Sequence, residues 1–493
     1  MAHQYVLPSA NLDLTSNSLT FENGIEYGLA KASSDPKLAI LAPNGSKALE
    51  AFEGKRSELA GNILLVGPLS SRNAASLRSQ LTWLQPRPLG LKTSAGLGDR
   101  IGLATPGHVR AMRSVQGRIL PIFAQQSIRE MMRTERTPQQ VMNDAMWGVF
   151  AEGWRGGAGA DADHLKTTGD IDACLSAGYT FFTIDPGAHV DNRAEAASLS
   201  ELRELAEQLP ADIKPDNSGL LNRTFIIEHL SIKLDEATLL KAAVKYGKAI
   251  AHVAVMYQHL EKAAGSHPFE LEVSVDETDL PTSHAEHIYV ASELKRLGVK
   301  WVSLAPRYVG RFEKGVDYIG DVKAFESDIA GHAAIARYFG PYKLSLHSGS
   351  DKFSIYRIAT QQTHGLVHLK TAGTSYLEAL RTIATVDVDF FREIYHFARE
   401  RYGTDKLTYH VSAELDRAPL PEDVTDWAAL LDQFDAREIF HVNFGSVLTE
   451  KTSDGRPRFH DRFINILKAN PEAYAANLEK HFRRHLQHFL LSE

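Results

Sequence analysis

Short apolar runs alternate along this chain with longer stretches whose apolar positions recur three and four apart, so strands and helices are expected to take turns. The clearest case is residues 342–375, YKLSLHSGSDKFSIYRIATQQTHGLVHLKTAGTS. It reads as a strand ending in histidine, a glycine-serine turn, a short helix and a second strand ending in His-Leu-Lys. Further strand-like runs are expected at 118–127, 157–169, 179–187, 267–279 and 300–310, with 406–415 as a candidate eighth. Helical patterns lie between them, for example over 237–264 and 283–298. Alternation of this kind implies a parallel sheet with helical crossovers, and eight repeats close most naturally as a (β/α)8 barrel of the α/β class.

Three regions are expected: a small N-terminal α/β region (1–90), the barrel (91–456) and a C-terminal extension of two helices (457–493). The glycine-rich stretch 90–109 reads as a connection into the first barrel strand. The polar stretch 190–235, broken by Pro and Asn, reads as an insertion over the barrel mouth.

Composition narrows the function class. Of 493 residues, 43% are hydrophobic and 23% charged, an ordinary balance for a globular chain, and a formal charge of -7 gives no reason to expect nucleic acid. No apolar run is long enough to span a bilayer, and the start lacks the regions of a signal peptide, so a cytoplasmic location away from membranes is expected. The single cysteine, Cys174, excludes internal disulfides and cysteine-rich zinc knuckles. Any metal must therefore be held by His, Asp and Glu.

In a β/α barrel, chemistry sits where strands run out into loops. That rule selects His347, His368 and Lys370. It also selects Asp163-His164 after the second strand, where an imidazole can bind a divalent cation while the carboxylate moves a proton. On the fourth strand, Glu270, Glu272, Ser274 and Asp276 share one face by period two, and acids on an inner face call for a metal or a cationic partner. Glu272 or Glu277 is the expected ligand there, with Asp276 and Glu277 as further candidates for acid/base work. The turn Ser348 to Lys352 ahead of a helix would suit a carboxylate or phosphate, and Arg307 is a second anion partner. His284 and His287, and His481, His485 and His488, read as solvated helix faces.

The blocks GADADHLKTTGD, FELEVSVDETDLP, LSLHSGSDKFS and HLKTAGTSYLEALR resemble the tagaturonate epimerase family of hexuronate breakdown, from about residue 90 onward. More distantly, Asp-His after one strand and His-Ser-Gly-Ser after a later one look like metal-dependent aldolases. That resemblance implies Asp163 as acid/base and His164 and His347 as metal ligands, with His368 or His410 left for the remaining aldolase histidine. The tagaturonate epimerase resemblance implies interconversion of D-tagaturonate and D-fructuronate, or of neutral tagatose and fructose as in some relatives, by inversion at ketose carbon 4.

The hydrogen on that carbon is not acidified by the ketone, so simple enolisation cannot invert it. No dinucleotide fingerprint supports transient oxidation. Retro-aldol cleavage and re-addition is the expected route, helped by a divalent ion such as zinc, manganese, cobalt, nickel or iron. Lys370 is expected on substrate oxygens or a carboxylate rather than in a Schiff base. A ketose or ketouronate is the expected small-molecule partner, and a homo-oligomer is compatible with the chain. The alternatives are an aldolase that releases its fragments and a non-catalytic barrel subunit of an aldolase.

Overall fold

The computed structural model describes residues 5–31, 35–371 and 373–490. An antiparallel sheet comes first, built from β1 (Thr20–Glu22), β2 (Ile25–Ala30), β3 (Lys37–Pro43), β4 (Lys55–Leu59) and β5 (Asn62–Pro68) in the order β1-β2-β3-β5-β4. Eight strands then form a closed parallel barrel: β6 (Ser94–Gly96), β7 (Leu120–Ser127), β8 (Gly159–Leu165), β9 (Phe181–Ile184), β12 (Glu270–Val275), β13 (Ser303–Pro306), β14 (Lys343–Leu346) and β15 (Val367–Lys370). A two-stranded hairpin, β10 (Thr224–Ile227) with β11 (Leu230–Lys233), interrupts the series between β9 and β12. The (β/α)8 expectation is met, with one strand exchanged.

The exchanged strand is the eighth. Lys406–Thr408 is a 3-10 turn and the residues after it form no strand, so 406–415 does not close the barrel. Its backbone is anchored by carboxylates instead, Ser412 N–H donating to Glu313 at 2.7 Å and Ala413 N–H to Glu438 at 3.0 Å. Closure falls to β6, paired with β15 on one side and β7 on the other. Three residues, Ser-Ala-Gly, give no periodic signal. Gly96 packs closely there, since a Cβ would lie 3.1 Å from Gln125 Cγ on the next strand and would push that side chain aside.

The segment 190–235 packs along the outer helices. Leu199–Glu207 lies on the long helix Glu236–Ala264, and the hairpin meets Val322–Phe339 and His284–Arg296. The C-terminal helix Pro471–Gln487 packs on Thr105–Arg113 and Thr374–Val386. Its His481 and His485 are buried rather than solvated, and so is His287, whereas His488 is exposed. Among the described residues, no helix is long and apolar enough to cross a membrane.

The barrel interior positions the chemistry. On β12, Leu271, Val273 and Val275 alternate with Glu270, Glu272 and Ser274, and all six are buried. Bulky branched side chains such as Val, Ile and Leu usually fill such an interior. Here Asp161, Asp163, Thr183, Glu272, Ser303, Ser345, His368 and Lys370 are also buried. Ions taken out of water cost several kcal/mol each unless they are paired, so the pairing describes the site.

Candidate active site

A bulge at the end of β8 allows neighbouring residues to serve one site. Its register to β9 runs from Ala162–Phe182 to Leu165–Ile184, three steps on β8 against two on β9. His164 takes a left-handed φ of 53° at this point, and a bulge with such a residue re-aims a side chain that would otherwise face the opposite way. Asp163 and His164 therefore both reach the mouth. The His164 ring stacks on His347 from the end of β14, with centroids 4.3 Å apart and planes 10° from parallel.

His347 is held from both sides. Its Nδ1 lies 2.8 Å from Ser274 Oγ and 3.2 Å from Asp276 Oδ1, and its Nε2 lies 3.0 Å from Asp163 Oδ1. Burial and Lys370 push the imidazole pKa down, but Asp276 and Asp163 outweigh them and lift it to about 10. Asp185 Oδ2 lies 3.1 Å from His164 Nδ1 and 3.2 Å from Lys166 Nζ.

Behind these rings sits Lys370, almost completely buried. Its Nζ donates to Asp163 Oδ1 and Thr183 Oγ1, both at 2.7 Å, and lies 2.9 Å from Asp161 Oδ2 and Glu272 Oε1. Burial alone would lower its pKa; the three carboxylates reverse this and raise it above the ordinary lysine value. Burial would likewise raise Asp163 and Glu272. Lys370 is the largest opposing influence on each, holding Asp163 well below the usual carboxylate range and Glu272 at about 2. Asp161, which burial dominates, is lifted to about 7.

Of the residues expected from sequence, Asp163, His164, Glu272, Asp276, His347 and Lys370 form this connected cluster. Glu277 lies on the rim, 3.0 Å from Arg129 and 3.8 Å from Lys166. His368 is turned to Ser94, 2.9 Å from its Oγ, and burial drives its pKa down to about 3. Lys352 does not face the mouth: its Nζ is buried against the carbonyls of Glu313, Val316 and Ser350. The helix expected after Ser348 starts only at Tyr356. Ser348 and Arg307 are half-buried, and neither side chain forms a hydrogen bond or ion pair among the described residues.

Sequence reasoning missed Asp161, Thr183, Asp185 and Gln125. Asp161 stood in plain view, two residues before Asp163 on the same strand face. Gln125, which donates to Asp163 Oδ2 at 2.9 Å, carried no signal, because its role depends on which strand closes the ring.

One oxygen of Asp163 and one nitrogen each of His164 and His347 lie within 4.8 Å of one another, and His164, Asp185 and Glu277 form a second such group. The donor set fits a divalent cation of borderline hardness. The potential that holds a proton on His347 up to about pH 10 is the potential that would favour such an ion.

Residues 16–489 match the tagaturonate epimerase family. The chain belongs to that family. The match reaches back through the N-terminal sheet, which the sequence motifs did not cover. A tagaturonate/fructuronate epimerase of Thermotoga maritima is 40% identical over 467 residues, 94% of each chain. A glycerol-complexed crystal structure of a fructuronate-tagaturonate epimerase from Cohnella laeviribosi superposes with a TM-score of 0.91 at 36% identity, covering 98% of this chain and 97% of that one. A second complex of that enzyme, with two glycerols, gives 0.92 at 36% identity over 99% and 98%.

Proposed function

We propose that this epimerase interconverts D-tagaturonate and D-fructuronate, by inversion at ketose carbon 4, through retro-aldol cleavage and re-addition with the help of a divalent metal. The single observation that carries the reading is the stacked pair His164 and His347, from separate strands, with Asp163 between them and Lys370. His164 and His347, with Asp163 beside them, are the groups that would hold the ion, and Asp276 would orient His347 through Nδ1. A divalent ion there would supply a Lewis acid for negative charge developing on substrate oxygens.

The chain's own residues supply proton handling. The proton on the carbon 4 hydroxyl passes to the carboxylate of Asp163 as the bond between carbons 3 and 4 breaks, leaving an aldehyde and an enediolate. Rotation of the aldehyde presents its other face. The bond then re-forms and Asp163 returns the proton, with no net oxidation or reduction. Lys370 keeps Asp163 ionised beforehand and links it to Asp161, so the cluster can take up one proton near neutral pH as a unit. Lys370 retains its own proton, which argues against a Schiff base, since imine formation needs a neutral amine.

The test uses D-tagaturonate deuterated at carbon 4. Product retaining that deuterium with no primary isotope effect on kcat, activity abolished by chelation and restored by a divalent ion, is the expected result. A primary isotope effect would replace the retro-aldol route with transient oxidation. Full activity after exhaustive chelation would remove the metal, and net release of fragments would make the enzyme an aldolase.

A further inference from the structure

Just beyond the end of β15, after Lys370, several strong donors lack acceptors. The Arg100 guanidinium stacks on Phe444, its carbon 3.7 Å from the ring centroid, and spends Nε and Nη2 on Glu130. Its Nη1 is buried and has no hydrogen-bond partner among the described residues. His441 is fully buried, and neither ring nitrogen has a hydrogen-bond partner among the described residues. Both converge on Gly373: a Cβ there would lie 2.5 Å from His441 Cε1 and 2.8 Å from Arg100 Nη1. Gly373, at φ 101°, is the N-cap of the helix Thr374–Val386, and no side chain caps that helix. Lys314 lies on the loop after β13, next to Gly315, where a Cβ would lie 3.3 Å from His441 Nδ1; Lys314 makes no hydrogen bond or ion pair among the described residues.

Each of these features is costly by itself. A buried donor without an acceptor forfeits its solvation, and an orphaned polar group in a native structure calls for an explanation. Their common property is sign. Arg100, Lys314, Arg437 and Lys352 all act on His441 and, after burial itself, keep its imidazole neutral. Among the described residues, neither Lys314 nor Lys352 has a carboxylate in ion-pair range. A helix N terminus adds partial positive charge and free backbone N–H groups. Lys314 is also within the electrostatic reach of Asp163, after burial and behind Glu130, Arg100 and Arg129 in strength, so this positive patch borders the reacting cluster. In β/α barrels, the loops after the last two strands commonly receive an anion.

We infer that Lys314, the free edge of Arg100, His441 and the uncapped N terminus of Thr374–Val386 form the subsite that receives the carboxylate of a ketouronate. The inference rests on the epimerase reading and deepens it, because this subsite would distinguish a ketouronate from a neutral ketose. Asp163 and the stacked histidines then meet the middle of the sugar while its charged end is held by the adjoining patch beyond β15.

The test is calorimetric titration of the full-length protein with D-galactonate and with its uncharged counterpart galactitol. Wild type is expected to bind D-galactonate more tightly. Lys314→Met should weaken D-galactonate binding about 100-fold, in line with the loss of a charge-assisted hydrogen bond, with a much smaller change for galactitol. Lys314→Arg should recover most of the loss. Equal losses for both probes, or a wild type that does not prefer D-galactonate, overturn the subsite. Tighter binding of D-tagatose 6-phosphate than of D-galactonate would reassign it to phosphate and overturn it too. None of these readouts requires turnover, so a failed epimerase assay with an intact D-galactonate preference would strike the proposed reaction and leave the subsite standing.

Discussion

The ammonium of Lys370 donates to Asp163 Oδ1 at 2.7 Å, deep in the barrel and out of reach of bulk water. Three carboxylates surround that one cation, so it stays protonated and cannot attack a carbonyl. Borohydride added during turnover should therefore leave no adduct on Lys370, as read by peptide mass. Lys370→Met should abolish measurable epimerisation and lower stability by about 3–5 kcal/mol, because it strands the buried carboxylates; chemical denaturation measures the second effect. An adduct, or a stable and active variant, would contradict this role.

Asp276 is expected to act through His347 rather than on the substrate. It faces Nδ1 at 3.2 Å, with Ser274 Oγ beside it at 2.8 Å, which leaves Nε2 directed at Asp163. Asp276→Asn should reduce divalent metal affinity about 10–100-fold, the usual effect of losing a partner that orients a ligating histidine. His347→Ala should lose the metal outright. Elemental analysis after dialysis separates the two.

Metal uptake should be strongly pH-dependent, and the sign follows from His347. Its folded pKa is raised to about 10 against an ordinary 6.5, so in the metal-free protein the ring is charged throughout the neutral range. A metal must displace that proton, and affinity should rise about tenfold per pH unit until about pH 10. Titrations in buffers of different ionisation enthalpy should report release of about one proton at pH 8. The metal-free protein should show the converse trend. The stability that charged His347 contributes is fully present below about pH 6.5 and disappears as pH rises through about 10. His347→Gln should flatten the melting temperature over that window.

Much of this was legible in the sequence for a physical reason. Residues at strand ends, such as Asp163, His164, His347 and Lys370, stand out because polar groups interrupt apolar runs, and a barrel brings all strand ends to one rim. The period-two face of β12 exposed Glu272 in the same way. Strand β6 was not legible, because three small residues produce no period and their assignment depends on the pairing of β7 and β15. Nor was the burial of His287, His481 and His485. His287 lies 2.7 Å from Tyr342 Oη and 2.9 Å from His332 Nδ1, partners 55 and 45 residues away that its helix pattern could not announce. Lys352 misled because a lysine after a glycine-serine turn suits an anion equally well as it suits three carbonyls of a neighbouring loop.

The strand that the sequence concealed should nonetheless control the chemistry. A Cβ at Gly96 would lie 3.1 Å from Gln125 Cγ, so Gly96→Ala must shift that side chain by a few tenths of an ångström. The Gln125 amide is what holds Asp163 Oδ2, at 2.9 Å. Displacing it leaves one oxygen of a buried carboxylate unpartnered and lets the other drift between Lys370 and His347. Positioning errors of this size are expensive in a site whose reacting groups must be aligned. Gly96→Ala should reduce kcat about 10-fold or more while the circular dichroism spectrum stays that of the wild type, and Gln125→Leu, which removes the amide without crowding β6, should reproduce the loss. If Gln125→Leu keeps full activity, the contact between β6 and β7 matters only for packing and Asp163 needs no support from that side.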